Sequence, residues 1–193
     1  MTELIFATHS DHKVKEIMAM MPQQFTVKSL KDIAWIEEII EDGKTLEDNA
    51  LIKVRTIHQR LGKNCFAEDT GLEVNVLGGE PGVHTARYAG EHRDTEDNII
   101  FLLNKLENKT DRRAQFRTVM SLILDQKEFL FEGIVRGHIA EKKSGESGFG
   151  YDPIFIPEGY DQSFAQLGSE IKNRISHRAQ ALQKMLAFLN SID

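Results

Sequence analysis

The 193-residue chain has little of several features that would define its class at once. It holds a single cysteine, Cys65, so it forms no internal disulfide, and this usage is typical of a protein of the reducing cytoplasm. Residues 1–7 contain no basic region and no long apolar stretch, so we expect no signal peptide. Nothing approaches the roughly 18 consecutive apolar residues of a membrane span, and we expect no membrane partner.

The chain also lacks an excess of positive charge. It has 24 Lys and Arg against 30 Asp and Glu, a formal net charge of −6. Because nucleic-acid backbones are held mainly by Lys and Arg, this balance argues against a nucleic-acid polymer as the main partner. A small phosphorylated ligand stays compatible with it, provided that local lysines and a bridging divalent cation offset the ligand's charge.

Several motifs of known chemistry are missing as well. The segment Thr8–Lys13 lacks the glycines of a Walker loop or of a dinucleotide fingerprint. No histidine pair has a zinc-type spacing, and no Ser/His/Asp or Cys/His arrangement can be read. There is no repeat, low-complexity tract or Pro/Ser linker, so we predict one domain over residues 1–193.

Strand-like and helix-like segments alternate along the chain, which predicts an α/β fold with a mixed sheet. The second of two long β-rich runs follows the first after Gln126-Lys127, which indicates a hairpin. The predicted strands are 3–8, 26–33 (with a turn), 65–69, 114–125, 128–139 and 154–156, and the predicted helices are 12–21, 45–61, 95–106 and 177–189.

The most informative stretch is Phe66–Glu73, in which strand-prone residues run into the adjacent acids Glu68 and Asp69. Adjacent acids repel each other unless a cation lies between them or one is solvated. The stretch therefore suggests a divalent metal and chemistry on an anion. The alternative is a strand that ends in a solvated acidic turn.

Three lysine-bearing or acidic segments fit that chemistry. The hydroxyls of Thr8 and Ser10, the first amides of the following helix and Lys13 make a plausible phosphate cradle, although a capped helix with a surface lysine explains them too. Lys53 lies mid-helix and Glu41 lies in an acidic run, and each of them also fits a solvated surface.

Two later segments could recognise a base. Glycines on both sides of Phe149 leave its ring accessible for stacking, although a loop anchored by a buried aromatic is the equal alternative. His177 and Arg178 open the last helix, where the macrodipole disfavours a cation. They are more easily explained if they face an anion or a carbonyl than as a surface helix start.

Seven motifs in one order resemble the inosine triphosphate pyrophosphatase family over Leu4–Leu189. They are Ala-Thr-x-x-x-x-Lys at 7–13, Glu-Asp-Asn-Ala-x-x-Lys at 47–53, Glu-Asp-Thr-Gly-Leu-Glu-Val at 68–74, Leu-Gly-Gly-x-Pro-Gly at 77–82, Ala-Arg-Tyr-Ala-Gly at 86–90, Gly-Phe-Gly-Tyr-Asp-Pro at 148–153 and Ser-His-Arg at 176–178.

The resemblance implies an elongated mixed β-sheet with flanking helices and two lobes around a central substrate cleft. It implies a cytoplasmic, magnesium-dependent homodimer that hydrolyses the non-canonical purine triphosphates ITP, dITP and XTP to the monophosphate and pyrophosphate. An enzyme for modified pyrimidine triphosphates and a nucleotide sensor without turnover are the rival hypotheses. Paired acids and both lysines argue against the sensor.

Site roles follow from the same resemblance. Glu41, Glu68 and Asp69 would organise Mg²⁺, and Asp69 would also accept the proton of the attacking water. The residues that would bind substrate are Thr8, His9, Ser10, Asp11, His12, Lys13, Lys53, Thr70, Phe149, Gly150, Tyr151, Asp152, Lys172, His177 and Arg178. Of these, the lysines 13 and 53 would hold the triphosphate, and Phe149 would stack on the purine.

The chain departs from the family pattern at four places. Ser10 replaces a usual asparagine, His9 a small or amide residue, Thr70 a serine and His84-Thr85 a Tyr-Ser pair. Because Ser10 and Thr70 keep an oxygen, we expect altered phosphate affinity and not lost function.

Overall fold

The structure, a computed structural model, describes residues 2–192 of the chain. They divide into two compact units. Unit 1 comprises Met1–Asp69, Thr118–Gly133 and Arg178–Asp193, and unit 2 comprises Thr70–Arg117 and Ile134–His177.

Helices and strands alternate through the first half of the chain, as the sequence pattern predicts. The strands are β1 (Thr2–Phe6), β2 (Phe25–Ser29), β3 (Cys65–Val74), β4 (Pro81–Gly82), β5 (Arg113–Leu124), β6 (Lys127–Ile139) and β7 (Phe155–Pro157). The helices are α1 (Asp11–Met20), α2 (Leu46–Leu61), α3 (Thr95–Lys105), α4 (Phe164–Ile175) and α5 (His177–Ser191).

The sheet mixes parallel and antiparallel pairs. Within residues 2–192 the strand order is β2-β1-β3-β5-β6-β7, with β4 paired to β3. Strand β1 runs parallel to both β2 and β3, whereas β4 and β7 run antiparallel to their neighbours. The predicted α/β class with a mixed sheet and flanking helices is confirmed.

The apolar core of unit 1 has two clusters because successive side chains of a strand point to opposite faces. Phe66 of β3 packs with Ile17 of α1 and Leu182 of α5. Its neighbour Cys65 packs with Val54 of α2 in the other cluster. In the parallel register of β1 and β3, Phe66 lies beside Phe6, and the two rings stack with centroids 4.5 Å apart. Thus α1 and α5 cover one face of these strands and α2 covers the other.

The core of unit 2 is separate and rich in aromatic residues. Phe155 of β7 lies between Phe116 of β5 and Phe164 of α4, with centroid distances of 4.7 and 5.4 Å. Leu72 and Leu102 belong to the same cluster.

Local signals in the sequence account for two elements. Thr45 caps α2, since its side chain accepts the N–H of Asp48, and Gly62 ends that helix in the left-handed conformation. The hairpin between β5 and β6 turns at Asp125 and Gln126, both with positive φ, one residue earlier than the sequence predicted.

Helix α4 lies where the sequence predicts no helix. Gly168 adopts non-helical angles inside it, so the helical spacing of apolar residues is interrupted. A capping box does mark its start: the Ser163 side chain accepts the N–H of Gln166, whose side chain binds Ser163 in return. Among residues 2–192 no helix is both long and apolar enough to cross a membrane.

The only cysteine gives a direct probe of this packing. Cys65 is fully buried against α2, and burial raises the pKa of its thiol to about 12. We expect the native protein at pH 8 to resist alkylation by iodoacetamide, and the protein in urea to react stoichiometrically, as mass spectrometry of the intact chain would measure. Rapid labelling of the native protein would contradict this placement of β3.

Candidate active site

Strand β3 carries the two adjacent acids to opposite faces of the sheet. Glu68 follows Phe66 onto the face covered by α1 and α5, and Asp69 follows Cys65 onto the face covered by α2. Both carboxylates are buried. The sequence predicts a pair that shares a cation. The alternation of the strand gives the two acids different bonded partners, Arg178 and Lys13 for Glu68 and Lys53 and Asn49 for Asp69, although the Lys13 charge also acts on Asp69.

Glu68 belongs to a buried ion network of unit 1. Arg178 of α5 donates from Nε and a terminal nitrogen to the two Glu68 oxygens, at 2.7 and 2.8 Å. Its other terminal nitrogen donates to Glu16 at 2.6 Å. The Lys13 ammonium lies 3.0 Å from Glu68 Oε1. Two cations therefore face two carboxylates, and the network is neutral.

This network fixes the ionisation of its members. Burial raises the pKa of Glu68, but the charges of Arg178 and Lys13 outweigh burial, so the pKa is lowered well below its usual range. For Arg178 burial again opposes the charged form, and the charge of Glu68 outweighs it, so the pKa is raised.

Asp69 is held by residues of α2. Lys53 donates to Asp69 Oδ1 at 3.0 Å and to Glu41 Oε2 at 2.6 Å. The Asn49 side-chain amide donates to Asp69 Oδ2 at 3.2 Å. Burial raises the pKa of Asp69; Lys53 and Lys13 oppose that shift, Glu41 adds to it, and the net shift is upward. The pKa of Glu41 is lowered, because the charge of Lys53 outweighs its burial.

The loop before α1 has the form of an anion-binding helix start. Ser10 caps the helix, and its Oγ accepts the N–H of Lys13 at 3.4 Å. The N–H of Ser10 donates to Thr8 Oγ1 at 3.2 Å. The exposed His9 ring lies 3.2 Å from the carbonyl oxygen of Glu37. Asp11 and His12 open the helix and are exposed.

The acids of unit 1 differ in their fit to a metal ion. No group of three His, Cys, Asp or Glu side chains is arranged to hold one in the described part of the chain. Glu41 and Asp69 do converge on one cation, since the Lys53 ammonium bridges them. Those two carboxylates fit a divalent ion, whereas Glu68 has both oxygens committed to Arg178 and Lys13.

Unit 2 holds a second polar cluster around Phe149. The Asp152 carboxylate accepts from the Lys172 ammonium at 2.6 Å and from the Phe149 backbone N–H at 2.8 Å. The ammonium lies 4.5 Å from the centroid of the Phe149 ring, within cation–π range. A Cβ at Gly148 would come within 2.2 Å of Asp152 Oδ2, so this position requires glycine. Asp152 therefore fixes both the loop and Lys172.

The remaining predicted residues of unit 2 lie on this loop or in the core. Gly150 takes a positive φ beside Phe149. The buried Tyr151 hydroxyl donates to the carbonyl of Thr85 at 3.0 Å, and His177 stacks on Phe116 with centroids 4.7 Å apart. Thr70, in β3, is partly exposed.

The Ham1 family matches residues 4–188 of the chain. The chain belongs to the Ham1 family. It is 48% identical over 189 residues to a dITP/XTP pyrophosphatase of Flavobacterium johnsoniae, with 98% of each chain covered. It is 45% identical over 195 residues to a dITP/XTP pyrophosphatase of Bacillus subtilis, covering 99% of this chain and 98% of the relative. The structure of the Staphylococcus aureus Ham1 protein matches with a TM-score of 0.91 at 42% identity, covering 100% of both chains.

The family resemblance drawn from the motifs is thereby confirmed. Within this Ham1 chain, the structure places Lys13, Lys53, Glu41 and Asp69 together in unit 1, and Phe149, Asp152, Lys172 and His177 in unit 2. Arg178, assigned to the base with the second set, belongs to unit 1. Arg178 does face anions, as its position in the helix suggested, and these are the carboxylates of Glu68 and Glu16.

Two residues of the candidate site were missing from the sequence-based set. Glu16 lies three residues after Lys13 on α1, and Asn49 lies four residues before Lys53 on α2. Both spacings put the pair on one helix face, which is the signal that could have found them.

Removing the negative charge of Glu68 should lower the free energy of unfolding more than removing the charge of an exposed acid. Glu68→Gln leaves Arg178 without its full counter-charge, and removing one partner of a buried pair costs about 3–5 kcal/mol of the free energy of unfolding. Folding lowers the pKa of Glu68, so its charge contributes fully to the free energy of unfolding above the ordinary glutamate pKa of about 4.3. That contribution is lost progressively as the pH falls from there through the lowered pKa.

The matched control is Glu128→Gln. Glu128 also binds an arginine through two bonds, those of Arg55, at 2.7 and 2.6 Å, but on the surface. An exposed pair contributes about 0–1 kcal/mol. Urea unfolding at pH 7 measures both variants, and equal losses would contradict the structural role of the Glu68–Arg178 pair.

Proposed function

We propose that this chain hydrolyses the non-canonical purine nucleoside triphosphates ITP, dITP and XTP to the nucleoside monophosphate and pyrophosphate. The observation that carries the proposal is the set of charges at β3, where each buried acid is paired with a lysine from a flanking helix. The full-length match to relatives named dITP/XTP pyrophosphatase supports it. No comparable observation favours a pyrimidine substrate or a sensor.

The lysines supply the triphosphate contacts. Lys13 and Lys53 are charged donors held in place by carboxylates, and phosphate oxygens are competing acceptors for the same ammonium hydrogens. Thr8 and Ser10 add hydroxyls at the start of α1, where the helix macrodipole favours an anion. Bound phosphate thus replaces contacts that the free protein makes within itself.

Glu41 and Asp69, the two carboxylates that Lys53 contacts, would hold Mg²⁺. A bound ion would supply positive charge against the leaving pyrophosphate and would make the attacking water more acidic. Glu68 supports the site through Lys13.

Asp69 accepts the proton of the attacking water. The water oxygen bonds to the α-phosphorus, the bond from that phosphorus to the oxygen bridging to the β-phosphate breaks, and pyrophosphate leaves with the electron pair. An ordinary aspartate, with a pKa of about 3.9, is a weak base at neutral pH. Burial raises the pKa of Asp69 in the metal-free protein. A metal that acidifies the attacking water would remove much of the remaining mismatch, so the base and the metal work together.

The cluster of unit 2 recognises the base. Phe149 offers a ring for stacking, and Lys172 is a donor that matches the 6-keto oxygen of hypoxanthine or xanthine. Adenine carries an amino group at that position, so donor would face donor. An unmet buried polar group costs about 1–3 kcal/mol, which supplies useful discrimination against ATP.

We also propose that residues 1–193 act as one pyrophosphatase domain, in a homodimer, in the cytoplasm. The family resemblance supports the dimer, and the single buried cysteine fits a reducing compartment.

Steady-state kinetics with ITP, dITP, XTP, GTP and ATP test the function. We expect a kcat/KM for the first three at least about tenfold above that for ATP, which corresponds to roughly 1.4 kcal/mol. Chromatography should find pyrophosphate and no orthophosphate. If no nucleotide is hydrolysed with Mg²⁺ present, the proposal fails in favour of a sensor.

Replacing the proton acceptor should separate turnover from binding. Asp69→Asn keeps the shape but loses the base, so kcat for ITP should fall by about 10²–10⁴-fold, and KM should change far less. Asp42→Asn, an exposed acid of the same segment as Glu41, serves as the control and should keep the wild-type kcat. An Asp69→Asn enzyme with near wild-type turnover would remove Asp69 from the mechanism.

A further inference from the structure

Asn49 is a buried polar residue that the reaction outlined above does not use. It lies in the first turn of α2 and is 2% exposed. Asparagine is a poor helix former, and burial of an amide is costly unless both of its ends are hydrogen-bonded. Capping does not explain it, because Thr45 already caps α2.

Both ends of the Asn49 amide bind elements of the proposed catalytic centre. The nitrogen donates to Asp69 Oδ2 at 3.2 Å. The oxygen accepts the backbone N–H of Gly43 at 2.8 Å. A carboxylate only accepts and an N–H only donates, so the two partners fix the orientation of the amide.

The segment that carries Glu41 approaches α2 very closely at this bond. A Cβ on Gly43 would lie 2.6 Å from Asn49 Oδ1 and 2.6 Å from Asp48 Cβ, so a larger residue does not fit without movement. Gly43 is two residues from Glu41. The bond from Asn49 to Gly43 therefore restricts the position of the backbone that carries the Glu41 side chain.

Asn49 and Lys53 act on Asp69 from one helix face. They are four residues apart on α2, and each binds a different oxygen of the carboxylate. Lys53 also binds Glu41, so the two acids are joined once through Lys53 and a second time through Asn49 and Gly43. A substrate phosphate that draws Lys53 away would leave the second link in place.

We propose that Asn49 is a positioning residue that holds Glu41 and Asp69 at the spacing needed to share a divalent cation. It does so by binding the Asp69 carboxylate with its nitrogen and the Gly43 backbone with its oxygen. The inference rests on the proposed function for its catalytic consequence, but its structural content can be measured without substrate.

Two substitutions separate the two bonds. Asn49→Ala removes both. Asn49→Asp keeps an oxygen for the Gly43 N–H but turns the donor toward Asp69 into a repelling carboxylate. The second variant also keeps the test open if the alanine variant does not fold.

Asn98→Ala is the matched control. Asn98 lies at the same position of α3, is 4% exposed, and also bridges two groups: it accepts from the Ala89 N–H at 2.7 Å and donates to the Ala86 carbonyl at 3.0 Å. Asn98→Ala therefore measures the general cost of losing a buried asparagine whose side-chain hydrogen bonds go to backbone groups.

The measurements are amide exchange at Gly43 by NMR, Mn²⁺ affinity by electron paramagnetic resonance, and kcat and KM for ITP. For Asn49→Ala we expect at least about tenfold faster exchange at Gly43 and a 10–100-fold loss in Mn²⁺ affinity, the range typical of residues that orient metal ligands. For Asn49→Asp the exchange at Gly43 should stay slow while kcat falls and KM for ITP changes little. Asn98→Ala should leave exchange at Gly43 and Mn²⁺ affinity as in the wild type.

Wild-type exchange and Mn²⁺ affinity in Asn49→Ala would overturn the inference, and so would equal losses in Asn98→Ala. If the wild-type protein binds Mn²⁺ but releases no pyrophosphate from any nucleotide, the proposed function fails while the positioning role of Asn49 is still decided by exchange and affinity.

Discussion

The alternation of side chains along β3 is the constraint on which the rest of unit 1 depends. It sends Glu68 toward α1 and α5 and Asp69 toward α2, so that the adjacent acids bind different lysines, Lys13 and Lys53. Each acid then needs its own positive partners, and these come from helices that already pack on that face. The same alternation divides Phe66 from Cys65, so the apolar core and the charged site follow one rule.

The two faces of β3 hold their acids in different ways. On one, Arg178 binds the buried Glu68 and the partly buried Glu16, and Lys13 supplies the second positive charge beside Glu68. On the other, Lys53 is shared between Glu41 and Asp69, and Asp69 has a raised pKa. A group whose charge is secured by a strong partner is poorly suited to take a proton. In the proposed mechanism this difference favours Asp69 over Glu68 as the proton acceptor.

Much of the fold could be predicted from the sequence, because local signals and long-range packing agree there. The cap at Thr45, the apolar spacing of α2 and the β5–β6 hairpin are examples. Helix α4 could not be predicted, since Gly168 interrupts the helical spacing of its apolar residues. At the site, residue types were predictable but not their partners: the pairing of Arg178 with Glu68 joins positions 110 residues apart and depends on tertiary packing. Asn49 was visible within a motif, yet only its two bonds give it a role.

The central claim of the proposed function is that water attacks the α-phosphorus. Hydrolysis of ITP in ¹⁸O-labelled water tests it most directly, with mass spectrometry of both products after a single turnover. The account predicts one ¹⁸O atom in the inosine monophosphate and none in the pyrophosphate. Label found in the pyrophosphate would mean attack on the β-phosphorus and would contradict the account.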